Sequence, residues 1–174
     1  ALTLQKAPRP LIVMTPKSLL RHPLARSTLE EFTEGSFQPV LDDPMVEDPR
    51  EVMRVLLCSG KVYVDLLARR QKEPRRDLAC IRLEQLYPFP RRELEGVLQR
   101  YEKAQTFIWL QEEPRNMGAW TFVAPRLKGI LGEEPRYVGR PALASPAEGF
   151  LELHQRVQEE ILREALGALQ VKEG

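Results

Sequence analysis

Arg54-Val55-Leu56-Leu57-Cys58, followed by the turn Ser59-Gly60, is the stretch that decides the fold. A continuous apolar run of this length that ends in a turn is typical of a strand buried on both faces. The residues after the turn form one apolar helical face, with Val62, Tyr63, Leu66, Leu67 and Arg70 at helical spacing. The stretch therefore predicts one strand–helix unit.

The same unit recurs along the chain. Strand-like apolar runs cover residues 78–83 and 106–110, residues 136–138 predict a short fourth strand, and helical patterns fill 91–101 and 118–131. Pro125 is expected to start or kink part of the second of these helices. Alternating units of this length predict an α/β fold, a mostly parallel sheet with helices on both faces.

The last helix has the clearest start signal. Ser145 can cap it, Pro146 fits its first position, and Glu148 can complete a capping box with Ser145. Its predicted apolar face holds Phe150, His154, Val157, Ile161 and Ala165, and Gly167 ends it.

The first 49 residues differ from the rest. Leu11 to Thr15 is an apolar run that predicts a strand, but residues 17–49 show little periodicity apart from a turn or two of helix at 27–32. Prolines recur throughout, at positions 8, 10, 16, 23, 39, 44 and 49. Because proline removes a backbone donor, we expect residues 17–49 to be an extended connector that wraps outside the sheet.

Composition excludes several classes of protein. Apolar residues make up 43% of the chain and charged residues 29%, which is typical of a globular domain. The 26 basic and 25 acidic residues leave no net field that would favour nucleic acid or a membrane surface. The start lacks both a signal peptide and an initiator Met, which suggests an excised piece. Cys58 and Cys80 lie in apolar runs, so we expect reduced core thiols of an intracellular protein.

Few residues could carry catalysis or bind a metal. The chain has two histidines, His22 in a turn and His154 on the last helix, and no glycine-rich phosphate loop. We expect His154 to be a half-buried, hydrogen-bonded residue rather than a base. No nucleophile triad and no metal-ligand cluster can be assembled, so we predict no catalytic and no metal site.

Two charged pairs follow predicted strands, where ligand sites gather in open α/β sheets. Glu112-Glu113 could perform acid–base chemistry, or its carboxylates could accept backbone donors or meet arginines at a subunit contact. Arg91-Arg92 could hold a phosphate, or could form a solvated first turn of the following helix.

Several strings resemble the C-terminal region of 2-oxoglutarate dehydrogenase E1 components. The resemblance runs from about Arg9 to about Leu166 and keeps order and spacing. Its strongest strings are residues 9–23, 58–63, 84–90, 111–120, 137–141 and 144–146.

The resemblance implies a homodimeric, thiamine-diphosphate-dependent enzyme that decarboxylates 2-oxoglutarate and passes the succinyl group to the lipoyl arm of an E2 succinyltransferase. Thiamine diphosphate and magnesium would be bound outside this segment, which alone would be catalytically inert. Residues 1–16 would end the preceding pyrimidine-binding domain, 17–49 would form the connector, and 50–174 would be a transketolase-like C-terminal domain. The location would be cytoplasmic in a bacterium and the mitochondrial matrix in a eukaryote.

Some actinobacterial relatives bind acetyl-CoA as an activator at this domain. The matching positions here are Arg9, Gln85 and Arg92. The sequence departs from that pattern at Ser36, Pro39 and Glu93, where a lysine, a serine and a second arginine would be expected. Two missing cations and one added carboxylate weaken phosphate binding. The resemblance alone therefore does not imply that acetyl-CoA regulates this protein.

Alternative functions remain open from the sequence. A sister E1 acting on 2-oxoadipate, or a fused carboxylase–dehydrogenase, would share this segment, and a free-standing acyl-CoA or nucleotide-binding module is a third class. Phe32, Phe37, Trp120 and Phe122 exceed what one small sheet needs, so some of them should form an exposed apolar patch that meets the partner subunit or the preceding domain in the intact enzyme. Trp120 is either an interface anchor or a core tryptophan.

Overall fold

The computed structural model describes Ile12 and residues 15–167, which contain a single five-stranded sheet. The strands are β1 (Val40–Leu41), β2 (Arg54–Cys58), β3 (Leu78–Leu83), β4 (Thr106–Leu110) and β5 (Arg136–Val138), in the spatial order β1-β3-β2-β4-β5. Strands β2 to β5 run parallel, and β1 pairs antiparallel with β3. The four predicted parallel strands are confirmed.

Helices cover both faces of the sheet. They are α1 (Leu29–Thr33), α2 (Val62–Lys72), α3 (Arg91–Leu98), α4 (Trp120–Leu131) and α5 (Leu151–Leu166). Alternate residues of β2 point to opposite sides, so Leu56 packs with α2 and α5 while Leu57 packs with α3 and α4. The predicted α/β fold, with its mostly parallel sheet and helices on both faces, is confirmed. No helix in the described part of the chain is both long and apolar enough to cross a membrane.

The connector contributes a strand that the sequence did not predict. It holds short 3₁₀ turns at Lys17–Leu19 and Pro23–Ala25, then α1, and then β1 at the edge of the sheet. The carbonyl of Pro39 accepts hydrogen bonds from the backbone N–H groups of Glu84 and Gln85. An open strand edge needs such partners, and β1 supplies them to β3 without entering the centre of the sheet. The boundaries at residues 16 and 49 stay predictions, and the strand predicted at 11–15 falls almost entirely outside the described residues.

A buried ion pair anchors the connector to the sheet. Asp43, two residues after β1, pairs with Arg70 of α2, and both side chains are at most 2% exposed. The same Asp43 carboxylate accepts the backbone N–H of Cys80 at 2.7 Å, and Arg70 donates to the carbonyl of Leu78 at 3.1 Å. The connector is thus fixed to α2 and β3 at its C-terminal end.

The predicted start of the last helix is wrong. Helix α5 begins at Leu151, and the Ser145 hydroxyl donates to the carbonyl of Ala147 instead of capping a helix. Glu148 forms an ion pair with Arg140, whose side chain is 2% exposed. A buried guanidinium is costly without a carboxylate partner, and the ion pair of Arg140 with Glu148 therefore outweighs the local capping box. Helix α4 begins at Trp120, five residues before Pro125, so this proline lies inside the helix rather than at its start.

Candidate functional site

The carboxyl ends of the parallel strands surround a cavity of about 400 Å³. The segments after β2, β3 and β4 each contribute to its wall, and α4 completes it. The lining residues are Ser59, Gly60, Leu86, Tyr87, Trp109, Gln111, Glu113, Gly118, Ala119 and Phe122. We call this space the carboxyl-edge cavity; its position is the one at which open α/β sheets bind ligands.

Gln111 organises the loop on one side of this cavity. Its side-chain oxygen accepts hydrogen bonds from Trp109 Nε1 and from the backbone N–H of Trp120, both at 3.0 Å. Its amide nitrogen donates to the carbonyls of Glu113, Pro114 and Met117 at 3.0–3.2 Å. The buried amide therefore has no hydrogen-bonding capacity left for a ligand.

Gly118 allows the loop to close over this amide. Its φ of +63° lies in the left-handed region, and a Cβ at this position would stand 3.0 Å from Glu113 Cβ and 3.2 Å from the Gln111 amide. A larger residue would be strained in the backbone and crowded by its neighbours. The loop from Gln111 to Ala119 is thus a fixed wall of the cavity.

Glu112 and Glu113, the predicted acidic pair, have different surroundings. The Glu112 carboxylate lies 3.6 Å from Lys61 Nζ and accepts a hydrogen bond from Gln158 Nε2 at 3.2 Å. The Glu113 side chain is exposed at the cavity wall, and the carbonyl of Glu113 accepts the Tyr137 hydroxyl at 3.2 Å. The donors to the Glu112 carboxylate are thus side chains and not the expected backbone groups, while the interface role of both residues stays a prediction.

A polar cluster around Arg140 joins β5 to α5. Arg140 donates to Glu148 through two nitrogens, at 2.6 and 2.9 Å, and to the Glu112 carbonyl and Gln158 Oε1. The hydrogen bonds from Arg140 lower the pKa of Glu148 to about 2. His154 Nδ1 lies 3.0 Å from Glu148 and 3.2 Å from Arg140, so His154 is the half-buried, hydrogen-bonded residue that the sequence predicted.

The predicted effector residues are only partly placed by the structure. Gln85 donates its amide to the carbonyl of Pro88 at 2.7 Å, and Arg92 is exposed in the first turn of α3. Arg9 lies outside the described residues. Within the described range, no hydrogen bond joins Gln85 to Arg92, so an acetyl-CoA site formed by Arg9, Gln85 and Arg92 stays a prediction.

Several other predicted candidates lie within the packed interior. Trp120 is 6% exposed and packs edge-on against Tyr137 with ring centroids 5.0 Å apart, while Arg115 lies over both rings. This geometry favours the core alternative for Trp120. Cys58 and Cys80 are free and buried, and burial raises the pKa of both thiols, which confirms them as core residues. Across the described residues, no three His, Cys, Asp or Glu side chains come together as a metal site would require.

Sequence reasoning missed the two organising residues, Gln111 and Arg140. Gln111 directly follows β4 and Arg140 lies two residues after β5, which is the available signal. Their partners come from β4, α4, α5 and the connecting loops, and no pattern along the chain shows those contacts.

Comparisons with known proteins show sequence similarity to one family over most of the chain. The family model described as "2-oxoglutarate dehydrogenase C-terminal" matches residues 26–166. The 2-oxoglutarate dehydrogenase E1 component of Haemophilus influenzae is 46% identical over 166 residues, covering 94% of this chain and 18% of that protein. The same component of Rickettsia prowazekii is 49% identical over 176 residues, covering 98% and 19%.

A solved structure also shows similarity, at a lower level. It is the 2-oxoglutarate:ferredoxin oxidoreductase from Magnetococcus marinus with 2-oxoglutarate, coenzyme A and succinyl-CoA bound, at 14% identity and a TM-score of 0.44, covering 72% of this chain and 20% of that one. The chain spans about a fifth of the length of the curated relatives it matches. By the extent of the family match and the identity to these relatives, the chain belongs to the 2-oxoglutarate dehydrogenase C-terminal family.

Proposed function

We propose that this chain serves as the structural and dimer-building C-terminal domain of a 2-oxoglutarate dehydrogenase E1, and that it supplies no group to the chemical step. The observation that carries this is the state of the polar residues at the carboxyl edge of the sheet. Gln111, Arg140 and Glu112 all bond to other parts of the same chain. Hydrogen bonds of this kind stabilise the edge, and they support a structural role for these groups.

The whole enzyme in this proposal decarboxylates 2-oxoglutarate on thiamine diphosphate and transfers the succinyl group to the lipoyl arm of E2. We assign thiamine diphosphate and its magnesium ion to parts of the enzyme outside this segment, as the family resemblance implies. In a bacterium such an enzyme would work in the cytoplasm, as the bacterial relatives suggest.

Self-association of the chain is the second element of the proposal. Residues 25–38 are exposed throughout, and Leu29, Phe32 and Phe37 are 74%, 76% and 62% exposed. Apolar side chains concentrated in this way mark contact surfaces in proteins that assemble. We therefore expect the chain to form a homodimer through this segment.

The test of the inert role is a calorimetric titration combined with a CO₂ assay. Thiamine diphosphate with Mg²⁺ should bind no tighter than millimolar, and no CO₂ should be released from 2-oxoglutarate. Acetyl-CoA titrated in the same series tests whether Arg9, Gln85 and Arg92 form a binding site for it. The Arg92→Ala variant is the control for that titration. Micromolar cofactor affinity or measurable decarboxylation would show the proposal to be wrong.

A further inference from the structure

Two neighbouring strands at the centre of the sheet, β2 and β4, send their following helices to opposite faces. The two strands run parallel and are hydrogen-bonded to each other. Helix α2, after β2, packs in the core cluster of Leu56, whereas α4, after β4, packs in the cluster of Leu57 on the other face. Connections that leave neighbouring parallel strands in opposite directions open a crevice at their carboxyl ends, and open α/β sheets bind ligands in this crevice.

The carboxyl-edge cavity occupies this crevice. Ser59 and Gly60, directly after β2, belong to one wall, and Gln111 and Glu113, after β4, belong to the other. A Cβ added at Gly60, whose φ is +75°, would meet no atom within 4 Å, so the turn after β2 leaves the space open. The volume of about 400 Å³ lies within the roughly 300–1,000 Å³ of small-molecule sites, which is enough for a fused ring system.

Aromatic rings and hydroxyl groups give this cavity its chemistry. Tyr87, Trp109 and Phe122 place three aromatic residues in the lining. Ser59 and Tyr87 add hydroxyl groups, and within the described part of the chain neither hydroxyl has a hydrogen-bond partner. The Gln111 amide is already fully bonded. A flat ring that packs against the aromatic side chains and bonds the two hydroxyls would use every group that remains.

The charges around the cavity balance. Glu113 is the ionic residue of the lining, and the Arg126 guanidinium lies 3.6 Å from the centroid of the Phe122 ring. Helix α3 carries two arginines and two glutamates, and Arg91 is paired with Glu95 at 2.8 Å. An ion would therefore leave water without gaining a free counter-charge, which favours an uncharged ligand.

We propose that the carboxyl-edge cavity binds an uncharged aromatic or heteroaromatic ring that carries one amide, carbonyl or hydroxyl group. The ring packs against Tyr87 and Phe122, and its polar group bonds the hydroxyls of Ser59 and Tyr87. This binding site goes beyond the structural role proposed above and does not depend on self-association.

The experiment is a titration with three probes that share one ring and differ in charge. Indole-3-carboxamide, indole-3-carboxylate and indole-3-carboxamidinium are added to the ¹⁵N-labelled chain, and amide chemical shifts are followed. We expect the neutral carboxamide to bind with a Kd of about 1 mM or tighter and to shift Gly60, Gly118 and Ala119. The two charged probes should bind at least about tenfold more weakly. Failure of the carboxamide to bind, equal binding of a charged probe, or shifts located away from the cavity would each overturn the proposal.

Variants separate the ring from the hydroxyl. Tyr87 is 81% exposed, so Tyr87→Leu should leave the fold intact and weaken the carboxamide about tenfold. Ser59→Ala should weaken the carboxamide about fivefold but leave plain indole, which lacks the amide group, unchanged. The matched control is Phe150→Leu, which removes a ring that is 77% exposed outside the cavity and should alter neither Kd. Equal losses in Tyr87→Leu and Phe150→Leu would contradict the assignment.

The intact enzyme provides the last measurement. Saturation-transfer difference spectra should show the carboxamide bound to the wild-type E1 that contains this chain, and the signal should fall in its Tyr87→Leu variant. A signal that is absent from the wild type, or unchanged in the variant, overturns the site in the assembled protein.

Discussion

Removal of the Asp43 carboxylate should destabilise the chain more than any surface charge change. In Asp43→Ala, Arg70 keeps a charge on a side chain that is 2% exposed but loses its partner. The backbone N–H of Cys80 loses its acceptor at the same time. Breaking a buried pair from one side costs about 3–5 kcal/mol, and an orphaned buried donor adds about 1–3 kcal/mol when it is not rescued by water.

The expected loss is about 4–8 kcal/mol, a large share of the roughly 5–15 kcal/mol that domains possess. For a chain of this size it corresponds to a fall in melting temperature of roughly 10–30 °C. Urea unfolding followed through Trp109 and Trp120, both buried, measures the change.

Two further variants give this prediction its controls. Asp48→Ala removes one side of a surface pair whose Arg50 side chain is 80% exposed, and it should cost far less stability than Asp43→Ala because solvent screens the pair. Asp43→Leu combined with Arg70→Met removes both charges and should recover much of the lost stability. The reasoning is refuted if Asp43→Ala costs no more than Asp48→Ala, or if the double variant is no more stable than the single one.

Three other changes test the site. Gln111→Leu leaves two N–H groups and three carbonyls without their partner, and should cost about 2–4 kcal/mol and raise amide hydrogen exchange across residues 112–119. Arg140 lowers the pKa of Glu148 from 4.5 to about 2, so the advantage of wild type over Glu148→Gln should be complete above pH of about 5 and shrink as pH falls towards 2; an advantage that grows on acidification contradicts this. Trp120→Ala should cost about 3–5 kcal/mol of folding stability if Trp120 is a core residue, whereas an intact fold with a weakened dimer would make it an interface anchor.

Strands β2, β3 and β4 could be predicted because each is a mostly apolar run that both layers of helices cover, whereas β5, whose Arg136 is exposed, follows from the strand–helix alternation. Burial on two faces leaves a signal in every residue of such a strand, as in β2 and β3. Strand β1 leaves no such signal, because it has two residues and exists through the free edge of β3. A two-residue edge strand forms because its neighbour has unpaired backbone groups, and its own sequence gives little indication of it.

The start of α5 shows where a correct local rule is overruled. Ser145, Pro146 and Glu148 satisfy the capping pattern, but Glu148 pairs with Arg140, eight residues earlier in the chain. A capping interaction is worth about 1 kcal/mol, whereas a buried guanidinium without a carboxylate costs several. The start of α5 therefore depends on the burial of Arg140, and Arg140 becomes buried only when β5 and α5 pack together.

Helix α1 supplies a physical argument that the connector packs against another surface. It has five residues and buries none of them, while isolated helices shorter than about 12–15 residues are marginal in water. Its capping box contributes about 1 kcal/mol, which does not offset the cost of nucleating a helix. We therefore expect Leu29 and Phe32, 74% and 76% exposed here, to be covered in the intact enzyme by the partner subunit or by the preceding domain.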